Sequence, residues 1–481
     1  MTLPRQPPRP DDGSPTSKES DEAGGGGSIR VAELLAALTT ALDMTEGQPA
    51  GHCVRSCHIG LAVGSRLGLD EDAMSDLCHT ILMKDLGCSS NAARICGLYL
   101  TDDHAFKRAF KKVDGSLPQL LRFGLVHAGV HAGMIARFRI VFRGLRNREE
   151  AARALTRVRC ERGAEIATKL GFGGRVAQAI RHLDERWDGK GRPDGIAGRT
   201  IPTLSQIALL AQVCDVFHSD GGPDIARRAV VSRSGTWFDP AVVAAFDAIC
   251  EDPCFWQVLA SDTLEEEILM RAPATAFRRV DDAYLDDVAG AFARIIDAKS
   301  SYTAGHSDRV ALIADAIAAE LGYSAGKRRW LRRGALLHDI GKLGISSAIL
   351  DKTARLTERE FAAIRRHPTL SVDILSRVAV FADLLRIVGD HHEKLDGRGY
   401  PKGLTGGEIS LDTRIVTVAD IFEALTAARP YREPMTVDAS VALMDDLARA
   451  EIDPVCFAAL KSALERTPSL AVPIHRTQVE A

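Results

Sequence analysis

The sequence predicts an all-α fold made of two tandem copies of one helical domain, and three observations carry that expectation. Apolar residues recur at helical spacing through long segments while strand alternation is rare. Gly and Pro fall between those segments, and motifs of the first half return in order in the second. With 481 residues, 46% of them hydrophobic, the chain has enough apolar material for more than one core.

Residues 1–28 hold almost nothing that could enter a core and end in four glycines and a serine, so they are expected to be a disordered tail. The first copy is expected over 29–260, a linker over 261–280, the second copy over 281–470 and a short tail over 471–481. Gly51-His52 matches Gly305-His306, and Lys84-Asp85-Leu86-Gly87 matches His338-Asp339-Ile340-Gly341, at the same separation along the chain. Asp188-Gly189-Lys190-Gly191-Arg192-Pro193 matches Asp396-Gly397-Arg398-Gly399-Tyr400-Pro401 at a shorter separation, so the first copy carries an insertion between these matches. The arginine-rich stretch 137–148 belongs to that insertion and is expected to be a solvated helix or loop. In the second copy the apolar stripes predict helices over 284–298, 307–321, 327–338, 358–367, 372–380, 382–391 and 413–425.

Composition then limits the partners. A net charge of −3 and the absence of an unbroken Lys/Arg run exclude duplex nucleic acid or an anionic membrane as a broad partner. No apolar run approaches the ~20 residues of a membrane span, and the N-terminus has no hydrophobic secretory segment, so a cytoplasmic location is expected. Ten cysteines without a C-x-x-C pair suit that compartment, and Cys53, Cys57, Cys250 and Cys254 are expected to be buried apolar residues rather than metal ligands.

The second copy concentrates its histidines. His306, His338, His367, His391 and His392 are all the histidines between residues 280 and 470, and they alternate with Asp339, Lys342 and Asp420. Imidazole and carboxylate together suit Mn, Fe, Zn, Ni or Co, and seven such donors are too many for one ion. The carboxylate of Asp339 has two oxygens and can bridge two cations. Two cations about 3.5–4 Å apart can activate a water and clamp the oxygens of a phosphoryl group, which is the chemistry of phosphoester hydrolysis. The first copy retains His52 and Asp85 but places Lys84, Cys88, about Cys160, Leu183, Asp184 and Gln212 where the second has His338, Lys342, His367, His391, His392 and Asp420. It is expected to have kept the fold and lost the metals.

The His306, His338-Asp339, Asp420 set resembles the HD superfamily of metal-dependent phosphohydrolases. The fuller pattern, with HDIGKLGI from 338, His367-Pro368, His391-His392 followed by Gly399-Tyr400-Pro401, then Asp420 and Arg429-Pro430-Tyr431-Arg432, is similar to the HD-GYP branch, whose members degrade cyclic di-GMP. The resemblance implies two tandem HD-type domains, the first degenerate, and a phosphodiesterase converting cyclic di-GMP to linear pGpG or GMP in second-messenger signalling. It implies two divalent metal ions, Fe or Mn, one held by His306, His338, Asp339 and Asp420 and the other by Asp339, His367, His391 and His392. Tyr302 stands where some members carry a glutamate for a third metal, so two are expected. Asp339 and Lys342 are the catalytic residues it implies, with Tyr400 lining the pocket and Arg429 and Arg432 meeting substrate phosphate.

The residues alone suit these roles. Arg429 and Arg432 share a face if their segment is helical and can give charge-assisted bonds to a second phosphodiester, or they can cap a helix. Lys342 can stabilise charge on a leaving oxygen, or pair with a carboxylate. Another cyclic dinucleotide or nucleotide as substrate, and a slow cyclic di-GMP sensor that docks a diguanylate cyclase, are the alternative functions. A homodimer is a further assembly left open by the sequence.

Overall fold

The computed structural model describes residues 29–99, 101–113, 117–128, 148–271, 277–278, 281–300, 303, 305–429 and 432–471. The expected tails at 1–28 and 472–481, Tyr302, Pro430 and Tyr431 lie outside them, as do residues 137–147 of the arginine-rich stretch. The described residues are predominantly helical, with one antiparallel pair of two-residue strands, Ile29–Arg30 against Phe277–Arg278.

The second half begins with the helix Asp282–Asp297, which starts where the Asp281 carboxylate accepts the Tyr284 N–H. Of the helices His306–Glu320, Ala325–Leu337, Leu411–Thr426 and Pro454–Arg466, the first packs against the other three, and Asp282–Asp297 lies against the first two. Ser324 and Ser410 cap the second and third of these in the same way as Asp281. Their apolar stripes meet in a core that includes Phe292, Phe381 and Phe422. Each such buried side chain contributes roughly 1.5–3 kcal/mol by leaving water.

Two expected helices divide differently. The segment expected over 358–367 ends at Ile364, and a new helix His367–Leu375 starts at the histidine because Pro368 occupies its first turn, where no amide hydrogen is needed. The segment 382–391 opens as a 3-10 turn, Ala379–Leu384, and only Leu385–Asp390 is α-helical.

The first half repeats the packing. His52–Arg66 lies against Glu71–Leu82 and Thr203–Gly221, and the long helix Arg148–Lys169 packs on Gly174–Arg181. Part of the segment expected to be a linker is folded: Leu264–Arg271 is a helix whose Leu264 and Ile268 are buried. Its apolar spacing covers the first helix, Val31–Thr45, which also rests on Ile340–Gly344 and His367–Leu375 of the second half. The two halves therefore share one continuous apolar cluster. A buried polar joint lies beside it, where Lys299 Nζ meets Asp103 Oδ2 at 2.9 Å and Asp103 Oδ1 accepts from Ser346 Oγ and the Ser347 N–H.

All ten cysteines are free; Cys53, Cys57 and Cys250 are buried as expected, whereas Cys254 is exposed. Among the described residues no helix is long and apolar enough to cross a membrane.

Candidate metal centre

Local chain chemistry delivers each donor. Gly305, in the left-handed region with φ 78°, ends the preceding segment so that His306 is the first residue of its helix. The Asp297 carboxylate fixes that entry by accepting the Gly305 N–H at 2.9 Å and Ser307 Oγ at 2.7 Å. His338 closes the helix Ala325–Leu337, and Asp339 leads into the 3-10 turn Ile340–Gly344 that carries Lys342. Gly341 lies directly on the backbone of His367, where a Cβ would collide with the His367 carbonyl. Ser371 clamps this contact, its Oγ donating to His338 O at 3.0 Å and accepting the Gly341 N–H at 2.9 Å. His391 closes the helix Leu385–Asp390, and Thr417 Oγ1 holds its carbonyl at 2.8 Å. Asp420 projects from the helix Leu411–Thr426.

Asp339 sits between two sets of imidazoles. Its Oδ2 is 3.4 Å from His306 Nε2 and 3.2 Å from His338 Nε2, and its Oδ1 is 3.2 Å from His367 Nε2 and 3.8 Å from His391 Nε2. Asp420 Oδ1 closes the first set, 3.4 Å from His306 Nε2 and 3.9 Å from His338 Nε2. His392 joins the second, and the donor atoms of Asp339, His367, His391 and His392 all lie within 4.8 Å of one another.

The orientation of the rings suits cation binding. The Nδ1 of His338, His367 and His391 each faces a backbone carbonyl, of Ala335 at 2.6 Å, Ile364 at 2.7 Å and Val388 at 3.0 Å. A carbonyl can only accept, so these nitrogens carry the protons and the neutral Nε2 lone pairs face the centre. Buried Nε2 atoms of His306 and His338 and the buried Oδ1 of Asp339 make no hydrogen bond, which a cation at each set would resolve. Burial and the adjacent imidazoles push His391 and His392 well below the ordinary histidine pKa, so both are neutral ligands. Burial opposes charge on Asp339, but His338 and Lys342 outweigh it and hold the carboxyl ionised. The donor set therefore fits two divalent cations sharing Asp339.

Glu423, which sequence reasoning missed, accepts His306 Nδ1 at 2.5 Å and also meets Arg429 Nη2 at 3.0 Å. Its only sequence signal is its place one turn after Asp420 on the same helix.

The remaining expected residues surround the cluster. Lys342 Nζ is 2.5 Å from Asp339 Oδ2 at the partly open side. Tyr400 stacks on His392, with ring centroids 4.8 Å apart, and the Arg365 guanidinium carbon lies 4.8 Å from the Tyr400 ring centroid. The Tyr400-Pro401 peptide is cis, and Glu393 collects the Lys402, Gly403 and Leu404 amides, which fixes the loop. Arg429 and Arg432 do not share a helical face. The helix ends at Thr426, and the two pair as an antiparallel bridge across a turn. Arg432 donates from its two terminal nitrogens to the Leu425 and Ala424 carbonyls and so caps that helix.

The corresponding place in the first half holds a different balance. Lys84 Nζ lies against Asp85 Oδ2, and Lys111 Nζ is 3.9 Å from Asp85 Oδ1 and 2.9 Å from Glu46. Glu46, Asp85 and Cys88 are close enough to hold an ion, but these ammonium groups already neutralise the carboxylates. The other histidines of this half have packing partners: His58 stacks on Phe255, His79 meets Phe172, His104 Nε2 is 2.8 Å from Lys299 Nζ, and His127 meets Phe123; His131 lies outside the described residues.

Helical fold and centre together define a class, and the comparison with known families agrees. The HD domain model matches residues 145–242 and 290–456, and the chain belongs to the HD domain family. It is 49% identical over 438 residues, 91% of this chain and 95% of the relative, to 3'3'-cGAMP-specific phosphodiesterase 3 of Vibrio cholerae. It is 39% identical over 172 residues, 35% of this chain and 45% of the relative, to the cyclic di-GMP phosphodiesterase response regulator RpfG of Xanthomonas campestris pv. campestris. The crystal structure of the cyclic GMP-AMP specific phosphodiesterase V-cGAP3 of V. cholerae superposes with a TM-score of 0.64 at 43% identity, covering 93% of this chain and 100% of that one.

Proposed function

We propose that this protein is a metal-dependent phosphodiesterase of cyclic dinucleotides, and that 3'3'-cGAMP rather than cyclic di-GMP is its preferred substrate. The observation that carries the hydrolytic reading is the Asp339 carboxylate, whose two oxygens face two separate sets of imidazoles. The preference for 3'3'-cGAMP rests on the 49% identity, along nearly the whole chain, to a relative named for that substrate. The cyclic di-GMP relatives match shorter segments, which supports the shared chemistry more than the shared substrate.

In this reading His306, His338, Asp339 and Asp420 hold one divalent cation, and Asp339, His367, His391 and His392 hold the other, Fe or Mn. Such a pair supplies Lewis acidity to a phosphoryl group and lowers the pKa of a water. The protein's own groups do the rest. Lys342, beside Asp339, faces the phosphodiester and donates to the oxygen that leaves. Glu423 holds His306 through Nδ1 and anchors Arg429, whose remaining donors meet a non-reacting phosphate. Arg432 positions that turn rather than touching substrate. Tyr400, braced on His392, forms a wall for a base. The first half is a second copy of the same unit that has lost the cation ligands, a reading supported by the family model matching in two segments.

The test is turnover of 3'3'-cGAMP, cyclic di-GMP and cyclic di-AMP by the purified protein with Mn or Fe(II) under reducing conditions. A higher kcat/KM for 3'3'-cGAMP is expected. A higher value for cyclic di-GMP would overturn the substrate assignment, and no turnover of any of the three would overturn the enzymatic one.

A further inference from the structure

A cavity of about 250 Å³ opens in the first half, among the helices Ala92–Tyr99, Asp103–Phe110 and Arg148–Lys169 and the turn at 191–192. It is lined by Cys88, Asp184, Arg192 and Gln212, the residues that align with Lys342, His392, Tyr400 and Asp420. The cavity thus stands where the second half has its metal centre, provided the two halves are copies as read above.

Fixed positive charge replaces the cations there. Lys107, Lys111, Arg159, Arg186 and Arg192 line the cavity, Lys107 and Lys111 beside Glu46, Arg159 paired with Asp184, Arg186 with Asp188, and Arg192 Nη2 with Glu149 at 3.1 Å. Lys111 Nζ is buried and lies near Glu46 without hydrogen-bond geometry, and the buried Nε of Arg192 makes no hydrogen bond. Burial disfavours the Lys111 ammonium, but Asp85 and Glu46 outweigh it and keep the group charged. Tyr99, Phe110 and Trp237 also line the space; Tyr99 and Phe110 stack on Phe106 and Trp237 carries the Arg186 guanidinium 4.6 Å from its centroid, so the 44% exposed Phe110 is the ring that offers surface to a ligand. A cationic fork beside such a ring suits a phosphate attached to a base. At about 250 Å³ the cavity is smaller than the roughly 300 Å³ at which drug-sized ligand sites begin, so a dinucleotide is too large for it and a single nucleotide is its upper limit.

We propose that this cavity binds a nucleoside monophosphate, held by lysine and arginine without metal and without hydrolysis. Binding of GMP, AMP and inorganic phosphate to the full-length protein in EDTA would be measured by calorimetry. The same measurement would be made on Arg192→Gln, Phe110→Ala and Asp339→Ala, with melting curves to show that each is folded. The expected result is saturable binding of GMP or AMP that weakens about tenfold or more in Arg192→Gln and Phe110→Ala and persists in Asp339→Ala. Absence of metal-independent binding, wild-type affinity in Arg192→Gln and Phe110→Ala, loss in Asp339→Ala, or phosphate binding as tightly as the nucleotides would each overturn it. Turnover of 3'3'-cGAMP by the same wild-type preparation with metal restored reports separately on the phosphodiesterase reading.

Discussion

The two halves hold their entry histidines in the same way and differ in what stands beside them. In the second, His306 follows a left-handed glycine, gives Nδ1 to Glu423 and shares that carboxylate with Arg309. In the first, His52 follows left-handed Gly51, gives Nδ1 to Asp215 at 2.6 Å and shares it with Arg55. Asp43 accepts the Cys53 N–H as Asp297 accepts from Ser307, and Glu185 gathers the amides of its cis-proline loop as Glu393 does. Beyond that frame the halves part: Lys84 occupies the position of His338 and lays an ammonium against Asp85, where Asp339 instead faces four imidazoles. In the proposed reading, the Lys84 ammonium stands in the first half where a divalent ion would stand in the second. The supporting carboxylates survive because they hold helices together, so they are not themselves a mark of catalysis.

Substitutions can break this comparison at graded depth. Asp339→Ala removes the carboxylate common to both donor sets and should lower turnover by at least about 10³-fold, measured as kcat/KM on 3'3'-cGAMP, with a melting temperature no lower than that of the metal-free wild type. Asp85→Ala in the first half should do the opposite. It leaves the fully buried Lys84 without its ion-pair partner, with Cys53 Sγ at 3.5 Å, costs about 3–5 kcal/mol in denaturant unfolding, and spares the turnover of the folded fraction. Equal effects of these two variants on turnover would contradict the division of roles. Glu423→Gln should weaken metal affinity about 10–100-fold and be rescued by added Mn, whereas Asp215→Asn should leave metal affinity unchanged in a metal titration. The smallest effect is expected from Tyr400→Ala, which removes a ring stack worth roughly 0.5–1.5 kcal/mol and should raise KM with the metal content intact.

Much of the centre was legible because histidine is scarce and its chemistry specific. His306, His338, His367, His391 and His392 converge on Asp339 as their order in the chain suggested. Glu423, Asp297 and Glu393 were not legible, since carboxylates are common on helix surfaces and only the fold shows which are buried against a histidine or an amide. The helices were placed to within a few residues where an Asp or Ser cap precedes an apolar stripe. They were misplaced at His367, where Pro368 starts a helix rather than ending one, and at Ala379–Leu384, where apolar spacing does not distinguish a 3-10 turn from an α-helix. Arg432 meets the carbonyls left open at a helix end, a demand that spacing alone does not reveal. The helix Leu264–Arg271 was hidden by its acidic face, and its packing on Val31–Thr45 and His52–Arg66 marks it as part of the core.

The most direct measurement is the metal content of the purified protein after Mn or Fe(II) loading, taken together for wild type, Asp339→Ala and Asp85→Ala. The account predicts two ions per chain in wild type and in Asp85→Ala, and loss of both in Asp339→Ala. Metal retained in Asp339→Ala, or lost with Asp85, would place the ions elsewhere and contradict it.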